Sequence, residues 1–390
     1  MSAERRLSRL DPALTDEQHM IAQAARSFAQ TRLAPRAAER DRTGEYPLSD
    51  IAGLAELGLV AAKVPTSLGG GGTDNLGYAL ALSAIAESCV STAVILASCN
   101  LVAKLLADHG TAEQHARWLT PFATGKLGPV SFALSEPGCG SDAAALTTTA
   151  RLDDTHWILD GAKMWITSGA HAGFHLVFAR TDGAAPDPDG ISAFIVPRDT
   201  PGLLVGKEED KMGQRASGTV ALSFDNCRIP ADHLLGPRGG GYALALAALG
   251  AGRVGIAALS IGVAEAALAA GLAYARERRA FGHTLDHFQN TQFLLADSRT
   301  DLDAAWLLTL RAARLLDAGD KASAETSMAK LFASESCGRI VDRVVQLHGG
   351  YGYSRDFPIE RMYRDARVTR IYEGTSEIQR IVIARALLRA

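Results

Sequence analysis

The chain has 390 residues, of which 47% are hydrophobic, and a formal net charge of −3 at pH 7. Its length and apolar content are enough for two or three domains with real cores. The small net charge gives no electrostatic reason to expect nucleic acid or an anionic membrane as a partner.

The five cysteines are widely separated and form no CxxC pair. This argues against a disulfide framework or a zinc site and favours a reducing compartment. The first residues lack the apolar core of a signal peptide, and no run of about twenty apolar residues is free of charge. The sequence therefore predicts neither export nor membrane insertion, and we expect a cytoplasmic protein.

Residues 1–128 have a helical pattern, which predicts an all-α N-terminal domain. Thr15 and Gln18 have the spacing of a capping box, and apolar residues follow at 3.6-residue intervals. Thr111 and Gln114 repeat the capping-box pattern. Four consecutive glycines at 69–72 predict a flexible loop rather than a phosphate cradle, because no Lys-Ser/Thr pair follows them.

Residues 129–240 change to short β-rich runs separated by turns such as Asp-Gly, which predicts a mostly antiparallel β domain. Within it, residues 138–143 (GCGSDA) fit a loose G-x-G-x-x-A dinucleotide pattern. A strand, not a helix, is expected after this turn, whereas a pyrophosphate-binding turn needs a helix N-terminus. We therefore reject a Rossmann interpretation.

Residues 241–390 are helical again. Three long patterns, 242–279, 289–317 and 322–347, are joined by short connections. Such connections favour an antiparallel four-helix bundle, closed by the segment after Glu373.

Glu373 lies on a glycine turn between two helical patterns. Gly374 ends the preceding pattern, and Ser376 with Gln379 has the spacing of a capping box that opens the last helix, 378–388. A carboxylate in such a junction is free of both helix faces and could act as a base. A solvated turn residue is the plain alternative.

Three other stretches could bind a polar ligand. Residues 133–142 offer Ser135, Ser141 and a glycine turn; residues 163–168 offer Trp165 and Thr167, which a regular strand would place on one face. Residues 346–353 end a helix in three glycines, which would let a ligand approach the backbone. A β-turn, ordinary core and surface residues, and a helix stop are the respective alternatives.

These three stretches and Glu373, in this order, resemble the acyl-CoA dehydrogenase family of flavoenzymes over nearly the whole chain. The resemblance implies an α+β fold with an all-α N-terminal domain (1–128), an antiparallel β middle domain (129–240) and a C-terminal four-helix bundle (241–390). It also implies a homotetramer, built as a dimer of dimers. The short-chain and branched-chain enzymes are the most similar branch, through residues 207–213, 252–257 and 371–380.

The resemblance implies FAD as the cofactor. It makes Glu373 the base that removes the α-proton of an acyl thioester while the β-hydrogen leaves as hydride to flavin N5. The implied FAD contacts are Phe132, Leu134, Ser135, Ser141, Trp165, Thr167, Arg278, Phe281, Gln289, Gln346, Gly350, Thr375 and Glu377. Those from Arg278 to Gly350 match residues that a neighbouring subunit contributes. The implied substrate contacts are Ser141, Arg253 and Gly374.

Three positions depart from the family pattern. Many members have an Asp near the thioester carrier where this chain has Gly250, so an acyl carrier protein remains an alternative to coenzyme A. Ala247 replaces a bulkier polar pocket residue, and Arg370 stands where short-chain enzymes often have Glu. The length of the acyl chain therefore stays open.

The sequence thus predicts FAD-dependent α,β-dehydrogenation of a short or branched acyl thioester, with an electron-transfer flavoprotein as acceptor. The alternatives are an acyl carrier protein substrate, an oxygen-using acyl-CoA or nitroalkane oxidase, and a flavoprotein scaffold without turnover. His171 and His175 have no carboxylate at ligand spacing, so no metal site is predicted.

Overall fold

The N-terminal part of the chain is helical, as predicted. The computed structural model of the protein describes residues 13–389. Both predicted capping boxes are present, at Thr15 and Thr111. The helices are α1 (Asp16–Phe28), α2 (Ala37–Thr43), α3 (Leu48–Glu56), α4 (Asn75–Ala86), α5 (Val90–His109), α6 (Ala112–Gln114) and α7 (Thr120–Ala123).

The glycines at 69–72 are closely packed rather than loose. A Cβ at Gly70 would lie 2.3 Å from the carbonyl oxygen of Val64 and 2.7 Å from that of Ala61. The tract lets two backbone segments touch, so it differs from the flexible loop that we predicted.

The middle part is a sheet. Its strands are β1 (Val130–Ala133), β2 (Thr149–Asp153), β3 (His156–Ile166), β4 (Phe174–Arg180), β5 (Ile191–Pro197), β6 (Leu203–Glu208), β7 (Val220–Pro230) and β8 (Leu234–Leu235). The strand order is β6-β7-β3-β2-β4-β5-β8. Strand β1 pairs with β4 in parallel, β2 meets β4 in parallel at one residue pair, and the remaining pairs are antiparallel. The mostly antiparallel prediction is therefore confirmed.

The glycine turn at 138–143 leads into a single 3₁₀ turn, Ala143–Ala145, and then into β2. No helix of useful length follows the turn, so it lacks the helix N-terminus that a dinucleotide pyrophosphate requires. This confirms the rejection of a Rossmann unit.

The C-terminal part is a helical bundle built around one long helix. Its elements are α8 (Gly241–Glu277), the hairpin β9 (Arg279–Ala280) and β10 (His283–Thr284), α9 (Gln289–Asp317), α10 (Ser323–His348), α11 (Ile359–Arg367) and α12 (Ser376–Arg389). Helix α8 contacts α4 and α5 of the N-terminal part and α9 and α10 of the bundle. It therefore joins the N-terminal helices to the bundle.

Helices α5 and α8 are long and apolar enough to cross a membrane by length and composition alone. In this fold, 83% of an apolar 18-residue stretch of α5 and 67% of the corresponding stretch of α8 is buried inside the protein. Their apolar residues belong to a cluster that includes the helices and one face of the sheet, while a second cluster lies on the other face. The central position of the two helices accounts for their composition.

Candidate active site

Glu373 lies where the backbone reverses between two helical segments. Its φ is +50° and that of Gly374 is +89°, so two consecutive residues are left-handed. This region is uncommon for a residue with a side chain and points to a functional constraint. The prediction that Glu373 lies in the junction, away from the regular helix faces, is confirmed.

The predicted cap of the last helix was wrong by one residue. The N–H of Ile378 donates to Thr375 Oγ1 at 3.4 Å, which makes Thr375 the capping side chain. The Ser376 hydroxyl donates instead to Glu335 at 2.7 Å. Because Glu335 is on α10, this competing contact is invisible to local sequence patterns.

The carboxylate of Glu373 faces helix α8 at a position with no side chain. A Cβ at Gly252 would lie only 3.0 Å from Glu373 Oε2. That oxygen is buried and has no hydrogen-bond partner among the described residues. Glycine at this position therefore leaves room beside an oxygen that is free to accept a proton.

Burial raises the pKa of Glu373 to about 7, against the lowering effect of Lys330, Arg253 and Lys63. A carboxyl group with this pKa is partly ionised at neutral pH and still basic enough to remove a weakly acidic proton. The desolvation and charges expected of a general base are therefore present.

Two of these cations involve helix α10: Lys330 is part of it, and Arg253 of α8 donates a hydrogen bond to it. The Lys330 ammonium donates to the carbonyl of Gly374 at 2.8 Å, and Arg253 Nη1 donates to Ser327 Oγ at 2.9 Å. Arg253 Nε is buried and has no partner among the described residues. Arg253, predicted to contact substrate, is thus close to Glu373 and retains a free donor.

The third cation, Lys63, comes from the N-terminal part. Its Nζ donates to Asn75 Oδ1 at 3.3 Å and lies 5.0 Å from the centre of the Tyr78 ring. Burial lowers the pKa of Lys63 to about 8. Three cations around one carboxylate create a site that can stabilise additional negative charge, such as that of an enolate.

A second group of predicted residues is brought together by two neighbouring segments of the β domain. The N–H of Met164 donates to the carbonyl of Ser135 at 2.9 Å. This bond places the 134–136 loop beside Trp165, whose side chain is 60% exposed. Phe132, two residues before Leu134, is half-buried with its ring 4.9 Å from that of Phe178.

The placement of Trp165 and Thr167 on one face of a regular strand was wrong. Strand β3 ends at Ile166, its register shifts between Lys163 and Ile166, and Trp165 has a φ of +64°. Thr167 follows in a turn. The irregular strand end, rather than the alternation of a pleated strand, determines where both side chains point.

A buried ion pair supports this surface. Lys163 Nζ donates to Glu136 at 2.7 Å and to the carbonyl of Leu134 at 3.1 Å. Glu136 also accepts the backbone N–H groups of Thr147 and Thr148. Although burial acts in the opposite direction, Lys163 and these bonds lower the pKa of Glu136 to about 2. The loop is therefore held by a charge pair that sequence reasoning missed.

Together these groups fit an isoalloxazine ring. Trp165 offers an exposed aromatic plane, and the Ser135 and Thr167 hydroxyls are half-buried on the adjoining segments. Ser141 is exposed, and a Cβ at Gly138 or Gly140 would meet nothing within 4 Å, so backbone there is open to a ligand. FAD would be held here by these residues.

Thr375 and Glu377 lie beside Glu373 at the start of α12, whereas the other five predicted cofactor residues lie elsewhere. We call them, with Tyr351 and Tyr353, the distal surface; the predicted members are Arg278, Phe281, Gln289, Gln346 and Gly350, all exposed. Arg278 follows Arg253 by 25 residues along α8, roughly 37 Å at ~1.5 Å per residue. Within one chain, the distal surface is therefore not brought to Glu373.

Sequence models of the acyl-CoA dehydrogenase N-terminal, middle and C-terminal domains match residues 15–126, 131–227 and 239–388. The chain belongs to the acyl-CoA dehydrogenase family. It is 48% identical over 379 residues to the mouse short-chain specific acyl-CoA dehydrogenase, covering 97% of this chain and 91% of the mouse protein.

Solved structures of similar chains support the same assignment. Butyryl-CoA dehydrogenase from Megasphaera elsdenii has a TM-score of 0.93 at 38% identity, covering 96% of this chain and 99% of that one. A chain from work on the electron transferring flavoprotein of Acidaminococcus fermentans has a TM-score of 0.95 at 41% identity, covering 97% and 100%. FAD is the cofactor of this family.

In this acyl-CoA dehydrogenase, the segment 207–217 connects all three parts of the fold near Glu373. Gln214 Nε2 donates to the Tyr372 hydroxyl at 3.3 Å and to the carbonyl of Asp365 at 3.0 Å. Arg364 Nη1 donates to the carbonyl of Met212 at 3.0 Å and to Asp41 at 2.9 Å. These contacts fix the residue that precedes Glu373, a role that the sequence did not reveal.

The histidines weighed as metal ligands have other partners. His171 is stacked on Tyr46, and His175 shares a hydrogen bond of 2.7 Å with Ser131. Among residues 13–389, no group of three His, Cys, Asp or Glu side chains could hold a metal ion.

Proposed function

We propose that this chain is a short-chain acyl-CoA dehydrogenase that uses Glu373 as its catalytic base. The observation that carries the proposal is the environment of this carboxylate. It sits on a left-handed turn with a pKa raised to about 7, and its buried oxygen faces the gap at Gly252.

The reaction removes one proton and one hydride from the acyl chain. Glu373 takes the α-proton of the thioester, and the electron pair left behind forms the α,β double bond as the β-hydrogen departs with its own pair. FAD, when bound, supplies the acceptor for that hydride. The charge that develops on the thioester oxygen is stabilised by Arg253, whose buried Nε is a free donor among the described residues.

The similarity to enzymes named for short-chain and butyryl-CoA substrates favours a short acyl group on coenzyme A. Close packing beside the base agrees with this. Leu101 faces Gly252, and the Tyr78 hydroxyl faces Gly255 one turn further along α8. An acyl carrier protein is the alternative carrier, since Gly250 lacks the acid that many relatives have.

We further propose a homotetramer in the cytoplasm that passes electrons to an electron-transfer flavoprotein. The exposed aromatic residues of the distal surface support an assembly, because large apolar groups gain free energy when a second copy covers them. Their distance from Glu373 along α8 agrees with a cofactor site shared between copies.

The test is anaerobic loss of the yellow flavin absorbance on adding butyryl-CoA, isovaleryl-CoA or octanoyl-CoA separately. We expect butyryl-CoA to bleach the purified enzyme most strongly. Glu373→Gln should slow bleaching by roughly 10²–10⁴-fold, the range of a lost general base.

Three results would overturn the proposal. Bleaching that survives in Glu373→Gln would remove the base from the mechanism. An FAD-loaded enzyme that no acyl-CoA bleaches would point to carrier-protein thioesters or to a scaffold. Peroxide formed in air as fast as turnover, without an added acceptor, would identify an oxidase instead.

A further inference from the structure

Lys330 is a lysine placed where the fold would accommodate an apolar side chain. It lies on α10 with its side chain fully buried. In the described part of the chain, the ion pairs of α10 do not include Lys330. Burying an ammonium group without a carboxylate partner is costly, so its presence calls for another explanation.

The only hydrogen bond that Lys330 donates in the described residues goes to the turn that carries the base. Its Nζ is 2.8 Å from the carbonyl oxygen of Gly374, which also accepts Gln379 Nε2 at 2.8 Å. Gln379 makes a longer contact of 3.4 Å to the carbonyl of Glu373. Two donors from different helices thus orient the peptide planes of this left-handed turn.

Lys330 also contributes to the electrostatic surroundings of Glu373. Burial raises the pKa of Glu373, and Lys330 lowers it more than Arg253 and Lys63 do. For Lys330 itself, burial lowers the pKa to about 8, while Glu373, Glu335 and Glu377 raise it and Arg253 lowers it. Burial raises the pKa of the Tyr78 and Tyr372 hydroxyls, which stay neutral. These are the titratable groups that face Lys330 and Glu373.

We infer that Lys330 is a positioning residue for the base: its ammonium group holds the Gly374 carbonyl and places a positive charge beside the Glu373 carboxylate. The inference rests on the proposed function, because it concerns the proton-transfer half of that reaction. Lys330 acts through Glu373 and its turn, not on the substrate.

Proton exchange on acetyl-CoA tests this role without hydride transfer. Acetyl-CoA has α-protons but no β-carbon, so it cannot be dehydrogenated. The rate at which its methyl protons exchange with D₂O, followed by NMR across a pH series, therefore reports the base alone. Glu373→Gln defines the background rate.

In Lys330→Met we expect exchange at pH 7 to fall about 10- to 100-fold, with the midpoint of the pH profile moved to higher pH. Lys330→Arg keeps the charge and should keep the midpoint near that of the wild type. Lys330→Gln keeps a donor without the charge, so its midpoint should move as in Lys330→Met.

Stability separates this role from a merely structural one. Removal of an unpaired buried charge should leave the melting temperature unchanged or raise it. Lys321→Met, which changes an exposed lysine just before α10, is the matched control and should leave the exchange profile unchanged. If Lys330→Met fails to fold, Lys330→Gln carries the test of charge.

A wild-type pH profile in the folded Lys330→Met and Lys330→Gln variants would overturn the inference and leave the proposed function standing. Absence of Glu373-dependent exchange in the wild-type enzyme, together with absence of bleaching by butyryl-CoA, would overturn both.

Discussion

The two ends of helix α8 differ in whether the residues of one chain are enough to build the site there. Near Gly252 and Arg253, the base meets buried groups from the N-terminal part, α8 and α10. Near Arg278, the hairpin and its neighbours present Phe281 at 93% exposure and Tyr353 at 92%. One copy can assemble the proton-transfer site, whereas the distal surface still has large apolar groups to cover.

This difference follows from the kinds of residue at each end. A carboxylate can be buried at Glu373 because cations from the same chain surround it. The aromatic residues of the distal surface have no such need for internal partners. Their exposure agrees with the proposed assembly, in which a second copy would cover them.

The largest expected effect comes from adding a methyl group beside the base. Gly252→Ala would place Cβ 3.0 Å from Glu373 Oε2 and 3.4 Å from Leu101, so the carboxylate would have to move. We expect kcat with butyryl-CoA to fall at least tenfold, because a shift of a few tenths of an ångström is part of the ~1 Å displacement of a catalytic group that costs about 100-fold. An unchanged kcat would show that the buried end tolerates more than the geometry allows.

A matched variant isolates the steric part of that effect. Gly250→Ala meets open space and brings the same gain in helix stability of roughly 0.5–1 kcal/mol. Both variants should therefore melt at or above the wild-type temperature, and only the Gly252→Ala change should crowd the base.

The second prediction uses the stability of the buried end. Because burial raises the pKa of Glu373 to about 7, the folded protein keeps a proton that the unfolded chain releases from about pH 4 upward. Stability contributed by the protonated form is thus lost as pH rises from about 4 to 7. We expect Glu373→Gln to be about 3 kcal/mol more stable than the wild type at pH 8 and equally stable at pH 4.

Urea unfolding at the two pH values measures this difference. Glu56→Gln changes an exposed glutamate on α3 and is the control. Its unfolding free energy should differ from that of the wild type by the same amount at both pH values. A Glu373→Gln variant that is less stable than the wild type at pH 8 would contradict the assignment of a desolvated carboxylate.

The third prediction concerns the distal surface. If a second copy covers it, Phe281→Ser should weaken FAD binding about tenfold and reduce the assembled mass, because a buried aromatic at an interface is worth more than about 1 kcal/mol. Equilibrium dialysis of FAD and light scattering measure the two effects.

A control distinguishes this from a general effect of surface polarity. Leu204→Ser removes a 62%-exposed apolar side chain from strand β6 and should change neither quantity. Identical behaviour of the two variants would mean that the two ends of α8 do not differ as proposed.

The smallest effect is expected at the turn itself. Thr375→Ala removes the cap on Ile378 and should cost about 0.5–1 kcal/mol in unfolding free energy. Thr375→Ser should restore most of it, since a serine hydroxyl can accept the same N–H. If Thr375→Ser melts like Thr375→Ala, the cap is not the source of the stability.

Much of the fold could be predicted from local patterns. The capping boxes at Thr15 and Thr111 and the span of α9 agree with the structure, because caps and helix periodicity depend on residues a few positions apart. The same reasoning failed at Ser376 and at Trp165. There, a distant glutamate and a register shift against a neighbouring strand override the local pattern.

The candidate site was predictable only in part. Glu373 and the flavin-side residues were singled out by turns and by resemblance, both of which are properties of the chain. Lys163, Lys330 and Gln214 were not, although each holds one of those segments in place. A lysine in the buried stripe of a helical pattern was the one available signal, and it names no partner.

The sequence by itself determined the order of helices and strands, the junction that carries the base and the loops that suit a flavin, since these depend on neighbouring residues. Only the tertiary structure decided the state of that base. Lys330 reaches the turn from 44 residues before Gly374, and Lys63 acts from another part of the fold. Burial and charge arise from contacts between distant segments, so the pKa of Glu373 is a property of the folded protein.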